Sequence, residues 1–192
     1  MGAIALGVAA MTAVHALADS VREGIKEQAR PMIAGDVILR SMHPFPEEIE
    51  NISALGTTKT KEMLSMVANA TGKSLLAEIK AVEGPYPLYG EIKVDPQKSL
   101  SEILTPEQVL VQPSLLRKLD IEQGSSILIN GESFVIGGLV LEEPDRLNVA
   151  MSSGPRVLLS MEALERSKLE QFGSRITRRI QFKSALIGLT RC

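Results

Sequence analysis

Apolar and polar positions follow three patterns along this chain. From Met1 to Ala18 no side chain is charged at neutral pH, and His15 is the one titratable group. As a helix this stretch would cover about 27 Å, close to the ~30 Å hydrocarbon core of a bilayer. It is rich in Ala and Gly rather than Leu, the composition of a membrane helix that packs on others through small side chains. From Asp19 to Arg30 the pattern becomes amphipathic. Opposite charges stand three apart (Asp19/Arg22, Glu23/Lys26, Glu27/Arg30), which supports one helical face. Val14, Leu17, Val21, Ile25, Gln28 and Met32 fall at three- or four-residue steps, an apolar stripe. The reading is one continuous helix passing from lipid into water. A signal peptide cleaved after Ala18 is the rival, and a buried soluble helix is a third reading. Ala16-Leu17-Ala18 supplies small residues for cleavage, but the basic region that precedes a signal's apolar core is missing.

Beyond Pro31, which marks the end of the helix or a kink, the pattern breaks into short elements. Ala34-Gly35-Asp36 turns the chain into a strand at Val37–Ser41. Pro46 suits the first turn of a helix running to about Leu55, with Glu47 and Glu48 on its N-terminal dipole. Lys59–Asn69 and Ser74–Val82 read as strands joined at Ala70-Thr71-Gly72-Lys73. Gly84–Gly90 is a proline-braced loop, and Asp95–Pro106 reads as a polar connector. A strand at Gln108–Gln112 and a proline-led helix at Pro113–Leu119 follow. Ser126–Ile129 and Ser133–Leu141 flank Asn130-Gly131, a strong hairpin signal, and Gly137-Gly138 marks a bulge or close approach. Arg156–Leu159 as strand, Met161–Ser167 as helix and Ser174–Phe182 as strand complete the series. Strands and helices so interspersed predict an α+β fold with a mixed β-sheet.

Composition narrows the function classes. The chain has 192 residues, enough for one good core or two small modules. A formal net charge of -2, 3% aromatic residues and no Trp argue against nucleic acid, which needs cations and stacking platforms. Cys192 is the single cysteine, which leaves no disulfide framework or thiolate metal cage.

No catalytic constellation emerges from the motifs. Thr71-Gly72-Lys73-Ser74 ends like a phosphate-binding loop, but Val67 stands where that loop needs a glycine, and a strand follows instead of a helix. The stretch reads as a hairpin turn. His15 and His43 are far apart and do not have metal-ligand spacing; His15 reads as facing a helix bundle or the membrane interface. Met151-Ser152-Ser153-Gly154 lacks the first glycine of a nucleophile elbow. Glu142-Glu143-Pro144-Asp145 reads as a solvated turn, with an acid pair at Glu142/Glu143 as the enzymatic alternative. Arg178-Arg179 reads as a solvated strand edge, with lipid headgroup contact as its alternative. Asn51-Ile52-Ser53 and Asn69-Ala70-Thr71 match glycosylation acceptors by chance. No cofactor, metal or catalytic residue is expected.

Several stretches together resemble a known family. Ala34-Gly35-Asp36-Val37-Ile38-Leu39-Arg40-Ser41, Pro44-Phe45-Pro46-Glu47-Glu48 and Glu78–Gly90 are similar to the first extracytoplasmic domain of FtsX/MacB-type bacterial ABC-transporter permeases, in the YbbP-like branch. Val111-Gln112-Pro113-Ser114-Leu115-Leu116, Leu119–Gly124, Phe134–Val140, Glu143-Pro144-Asp145 and Gly154–Leu159 continue the series in order. The resemblance covers roughly Ala3 to Arg179 and excludes the tail Lys183–Cys192. It implies a division into 1–31, the outer part of a first transmembrane helix plus a stalk; 32–183, a periplasmic core domain; and 184–192, unassigned. It further implies an inner-membrane protein that catalyses nothing itself and couples ATP-driven stalk movement to export or extraction of a substrate. The implied partners are a cytoplasmic ABC ATPase, membrane lipid and a second permease copy. Val14, Leu17, Val21 and Ile25 would form the helix-packing face, and Gly35 and Asp36 the stalk-to-domain turn. Arg22, Lys26 and Arg30 follow the apolar run, whereas positive flanks favour the cytoplasm. A secreted soluble binding domain, released by cleavage after Ala18, is the alternative.

Overall fold

The computed structural model describes residues 11–12, 15–16, 19, 37–50, 52, 56–144, 154–171 and 173–183. Among the described residues from Val37 to Lys183, nine strands and four short helices follow one another: β1 (Val37–Ser41), α1 (Glu47–Glu50), β2 (Gly56–Ala68), β3 (Ser74–Glu83), β4 (Lys93–Asp95), α2 (Leu100–Ile103), β5 (Gln108–Val111), α3 (Pro113–Leu119), β6 (Ser126–Ile129), β7 (Glu132–Glu142), β8 (Arg156–Ser160), α4 (Met161–Ser167) and β9 (Thr177–Lys183). The strand order is β1-β9-β2-β3-β8-β5-β7-β4. β6 pairs with both β2 and β7, so β2, β3, β8, β5, β7 and β6 form a closed ring. β3 with β8 and β5 with β7 run parallel, and the other pairs antiparallel. The expected α+β class with a mixed sheet is the observed one.

Alternation along each strand gives the ring an inside and an outside. Met63 and Val67 of β2, Ala77, Ile79 and Ala81 of β3, and Phe134 and Ile136 of β7 point inward. Leu115 and Leu119 of α3 join Ala163 and Leu164 of α4 in the same core. Pro113 opens α3, and Asp120 ends it in the left-handed conformation (φ 53°), a helix stop seen most often at Gly or Asn. Ser160 caps α4, its Oγ accepting from the Ala163 amide at 3.1 Å. Outside the ring, Val82, Leu110, Val140 and Leu158 form a smaller cluster under Tyr86, Val94 and Ile103. The crossover from Gly84 to Pro106 therefore covers one part of the outer face.

Turn chemistry explains the connections. Asn130 and Gly131 both have positive φ (51° and 84°) between paired Ile129 and Glu132, the two-residue turn that Asn-Gly favours. In the β2–β3 turn, Asn69 Oδ1 accepts from the amides of Thr71 and Lys73 at 3.0 and 2.9 Å. Its Nδ2 donates to the Leu119 carbonyl at 2.8 Å. Ser74 opens a strand, so the Thr71–Ser74 stretch is the expected hairpin turn. The β5–β7 register shifts between Val109 and Leu110, which pair with Ile136 and Gly138, leaving Gly137 as the extra residue of a bulge.

The crossover differs from expectation, as do three element boundaries by three residues or more. Asp95–Pro106 holds the end of β4 and all of α2, with Ile103 buried; the polar Lys98, Ser99, Ser101 and Glu102 masked the helical spacing of Leu100, Ile103 and Leu104. β2 begins at Gly56 rather than Lys59, and α1 ends at Glu50, ahead of a non-helical Ile52. The final strand begins at Thr177 rather than Ser174. Most of the 1–36 segment lies outside the described residues. Within it, Met11, Thr12, His15, Ala16 and Asp19 are helical, and His15 Nδ1 lies 3.1 Å from the Met11 carbonyl. No helix among the described residues is long and apolar enough to cross a membrane.

A Cβ at Gly138 would stand 2.6 Å from the Asp95 carbonyl oxygen and 2.9 Å from Leu110 Cδ2. Gly138→Ala is therefore expected to lower stability by about 1–3 kcal/mol. Urea unfolding followed by circular dichroism measures it.

Candidate functional site

The most unusual chemistry in the domain lies on the outer face of the ring, where three acids meet three bases. Alternation places Glu78 and Lys80 of β3 opposite the inward Ala77, Ile79 and Ala81. Antiparallel register then sets Glu62 of β2 directly across from Lys80. Parallel pairing places Arg156 of β8 opposite Glu78. Glu143, just past β7, reaches into the space between them. Lys80 Nζ lies 2.8 Å from Glu143 Oε1 and 3.5 Å from Glu62 Oε1. Arg156 bridges Glu143 Oε2 at 2.6 Å and Glu78 Oε1 at 2.8 Å. Arg179 of β9 closes the far end on Glu62 at 2.9 Å. Tyr86, from the loop after β3, donates its hydroxyl to Glu143 Oε1 at 2.5 Å and accepts from Lys80 Nζ at 2.6 Å.

Burial gives the network its energetic weight. The Lys80 side chain is 0% exposed and that of Glu143 is 3%, so neither charge is solvated by bulk water. Burial alone would raise the Glu143 carboxyl, but the charges of Lys80 and Arg156, with hydrogen bonds from Lys80 and Tyr86, hold it down at about 2. Burial alone would likewise lower the Arg156 guanidinium. Glu143 and Glu78 outweigh that and push it above its ordinary value. Such a network adds little net stability compared with an apolar core, yet losing one member leaves an unpaired buried charge. Chemically it is an internal clamp: Glu143 stays ionised as an acceptor, and proton donation from it is suppressed near neutral pH.

The sequence-predicted residues are placed as follows. Val14, Leu17, Val21, Ile25, Gly35 and Asp36 lie outside the described residues, as do Asn51, Asp145 and Met151–Ser153. Glu142 is exposed, as expected, but it ends β7 rather than lying in a turn, and it pairs with Lys93 across the β4–β7 ladder at 2.7 Å. Glu143 is a correction, because Lys80 and Arg156 draw it inward. Arg178-Arg179 is a second correction: β9 lies between β1 and β2 and has no free edge. Arg178 pairs with Glu170 at 2.5 Å and donates to the Met42 carbonyl at 2.9 Å. The amide of His43 donates to Ser41 Oγ. Among the described residues, no cluster of three or more His, Cys, Asp or Glu could hold a metal. Sequence reasoning missed Glu62, Glu78, Lys80, Tyr86 and Arg156. The available signal was Glu78 and Lys80, opposite charges two apart on one strand, with Glu62 on the neighbouring one.

Glu143→Gln is expected to cost about 3–5 kcal/mol, because it leaves Lys80 and Arg156 facing a neutral amide. The Glu143 carboxyl is depressed from 4.5 to about 2 on folding, so its contribution is complete above the unfolded value and lost as pH falls through the folded one. The stability gap between wild type and variant should therefore narrow progressively from about pH 5 down through about pH 2, read by urea unfolding at each pH.

Comparison with known proteins gives this geometry a family. The model of the MacB-like periplasmic core domain matches residues 1–185. The ABC transporter permease YbbP of Escherichia coli (strain K12), itself uncharacterised, is 29% identical over 184 residues, or 94% of this chain. The chain spans only 22% of that relative's length. Among solved structures, a domain from Porphyromonas gingivalis described as part of a permease superposes with a TM-score of 0.51 at 14% identity, over 81% of this chain and 77% of that one. The extracellular domain of the noncanonic ABC-type transporter YknZ from Gram-positive bacteria gives 0.51 at 10% identity, over 72% and 71%. At those identities the structures speak to fold alone. The family match extends over nearly the whole sequence, and the chain belongs to the MacB-like periplasmic core domain family.

Proposed function

We propose that this chain is the extracytoplasmic domain of an ABC transporter permease in the bacterial inner membrane, and that it transmits stalk movement to a substrate or partner. The carrying observation is the family match across residues 1–185, which takes in the apolar run as well as the globular domain. In this reading Met1–Ala18 is the outer part of a transmembrane helix in contact with lipid, and Asp19–Arg30 its stalk. Val14, Leu17, Val21 and Ile25 pack on a neighbouring helix or a second permease copy, and Gly35 and Asp36 turn the stalk into β1. A cytoplasmic ATPase drives the motion through the rest of the permease. The domain performs no catalysis of its own.

The topology supports tethering. Val37, at the start of β1, pairs with Phe182, and Lys183, at the end of β9, pairs with Gly56. The preceding and following segments therefore attach at the same end of the sheet, as two connections to one membrane require. Both strands join the closed ring through β2, so a displacement at that end reaches the domain as a body.

Alkaline phosphatase fused after Arg179 tests the placement. Active enzyme in the membrane fraction is the expected result. Active but soluble enzyme would favour a cleaved, secreted domain, and intact but inactive enzyme would place the domain in the cytoplasm. Replacing Val21 and Ile25 together with Asp should abolish co-purification with the full permease; unchanged co-purification would remove the packing role.

A further inference from the structure

A second feature borders the charge network through Tyr86, which lines it, at the end of the ring from which both chain connections leave. Between α2, α4 and the loop after β3 is a cleft of about 430 Å³, within the ~300–1,000 Å³ of ligand-binding clefts. Leu100, Leu104 and Met161, each half-buried, supply its apolar surface over the buried Val82 and Tyr86, and Glu83, Glu162 and Glu165 also line it. These three acids are exposed. Among the described residues none of them is held in an ion pair, and the nearby bases are engaged elsewhere. Lys59, opposite Glu83 in the β2–β3 ladder, turns to Glu50 at 3.3 Å. Arg166, beside Glu165 on α4, donates to the Pro106 and Ser133 carbonyls at 3.1 and 3.0 Å.

We infer that this cleft docks a segment of a partner protein that combines basic and apolar side chains. The apolar surface takes the Leu- or Phe-like side chain, and the carboxylates take the flanking Lys or Arg. Glu162 and Glu165 stand three apart on one helix, so their side chains are neighbours, while Glu83 approaches from the end of β3. A single small amine neutralises one of these positions. A peptide segment presents several cations together with the apolar group that the floor requires. This docking goes beyond the permease reading and does not rest on it.

The probe is a fluorescein-labelled peptide, Lys-Leu-Lys-Phe-Lys-Leu, titrated by anisotropy into the full 192-residue chain. The same peptide with Glu at each Lys position is the control. The basic peptide should bind saturably and the acidic one should not. The E83Q/E162Q/E165Q variant should weaken binding about tenfold, from three exposed charge pairs. An equal loss of charge at E48Q/E91Q/E122Q should change it by less than about twofold. Leu104→Asn should weaken it independently of salt. Equal losses in the two triple variants would reduce the effect to general attraction and overturn the proposal. So would binding of the acidic peptide, or no saturable binding of the basic one.

Discussion

The structure depends most on the burial of one ammonium group. Lys80 points out of a strand whose other face is core, and the outer face above it is sealed by Tyr86 and Glu143. An ammonium in that position is tolerable only with carboxylates against it. The requirement fixes several things together. Glu143 must turn inward just after β7, Tyr86 must bring its loop down over β3, and Glu62 must keep its register across from Lys80. Arg156 then satisfies the second oxygen of Glu143 and carries the chain of charges to Glu78. The network spans β9, β2, β3 and β8 and the end of β7, so it crosslinks the ring from outside where the apolar core fills it from inside.

This arrangement divides the outer face. On one side of the network the crossover from Gly84 to Pro106 covers Val82, Leu110 and Leu158. On the other, Leu64, Met66, Leu76 and Leu128 are exposed. Within the ring, Ala77 and Ala81 leave room for the larger Phe134, Leu115 and Leu119. A closed sheet with a filled interior and an ionic crosslink deforms little, the property that the proposed transmission of stalk movement calls for. The two chain connections leave from that end, and the acid-lined cleft lies there too.

Much of the fold was legible in the sequence because local chemistry decides it. Asn130-Gly131 specified a hairpin, Pro113 specified a helix start, and the apolar stretches around Val109, Ile127 and Val157 read as strands whatever their neighbours. The closure through β6 was not legible, since it rests on two residue pairs between β2 and β6 distant in sequence. The crossover was misread because its apolar residues are few and separated by polar ones, and because α2 is a single turn. The charge network was the least visible. Each member looks like an ordinary solvated residue in sequence, and only register and loop closure place Glu62, Lys80, Glu143 and Arg156 together. Glu143 stood next to a proline among other acids, a context that favours a solvated turn wherever no buried cation competes for it.

The most direct measurement is a pH titration of the Glu143 side-chain carboxyl by carbon-detected NMR, in the folded domain with selectively labelled glutamate. If the network holds as described, the resonance should remain that of a carboxylate through the ordinary glutamate range and titrate only near pH 2. A midpoint close to 4.5, with the domain still folded, would mean that Glu143 is solvated and that the clamp does not exist in solution.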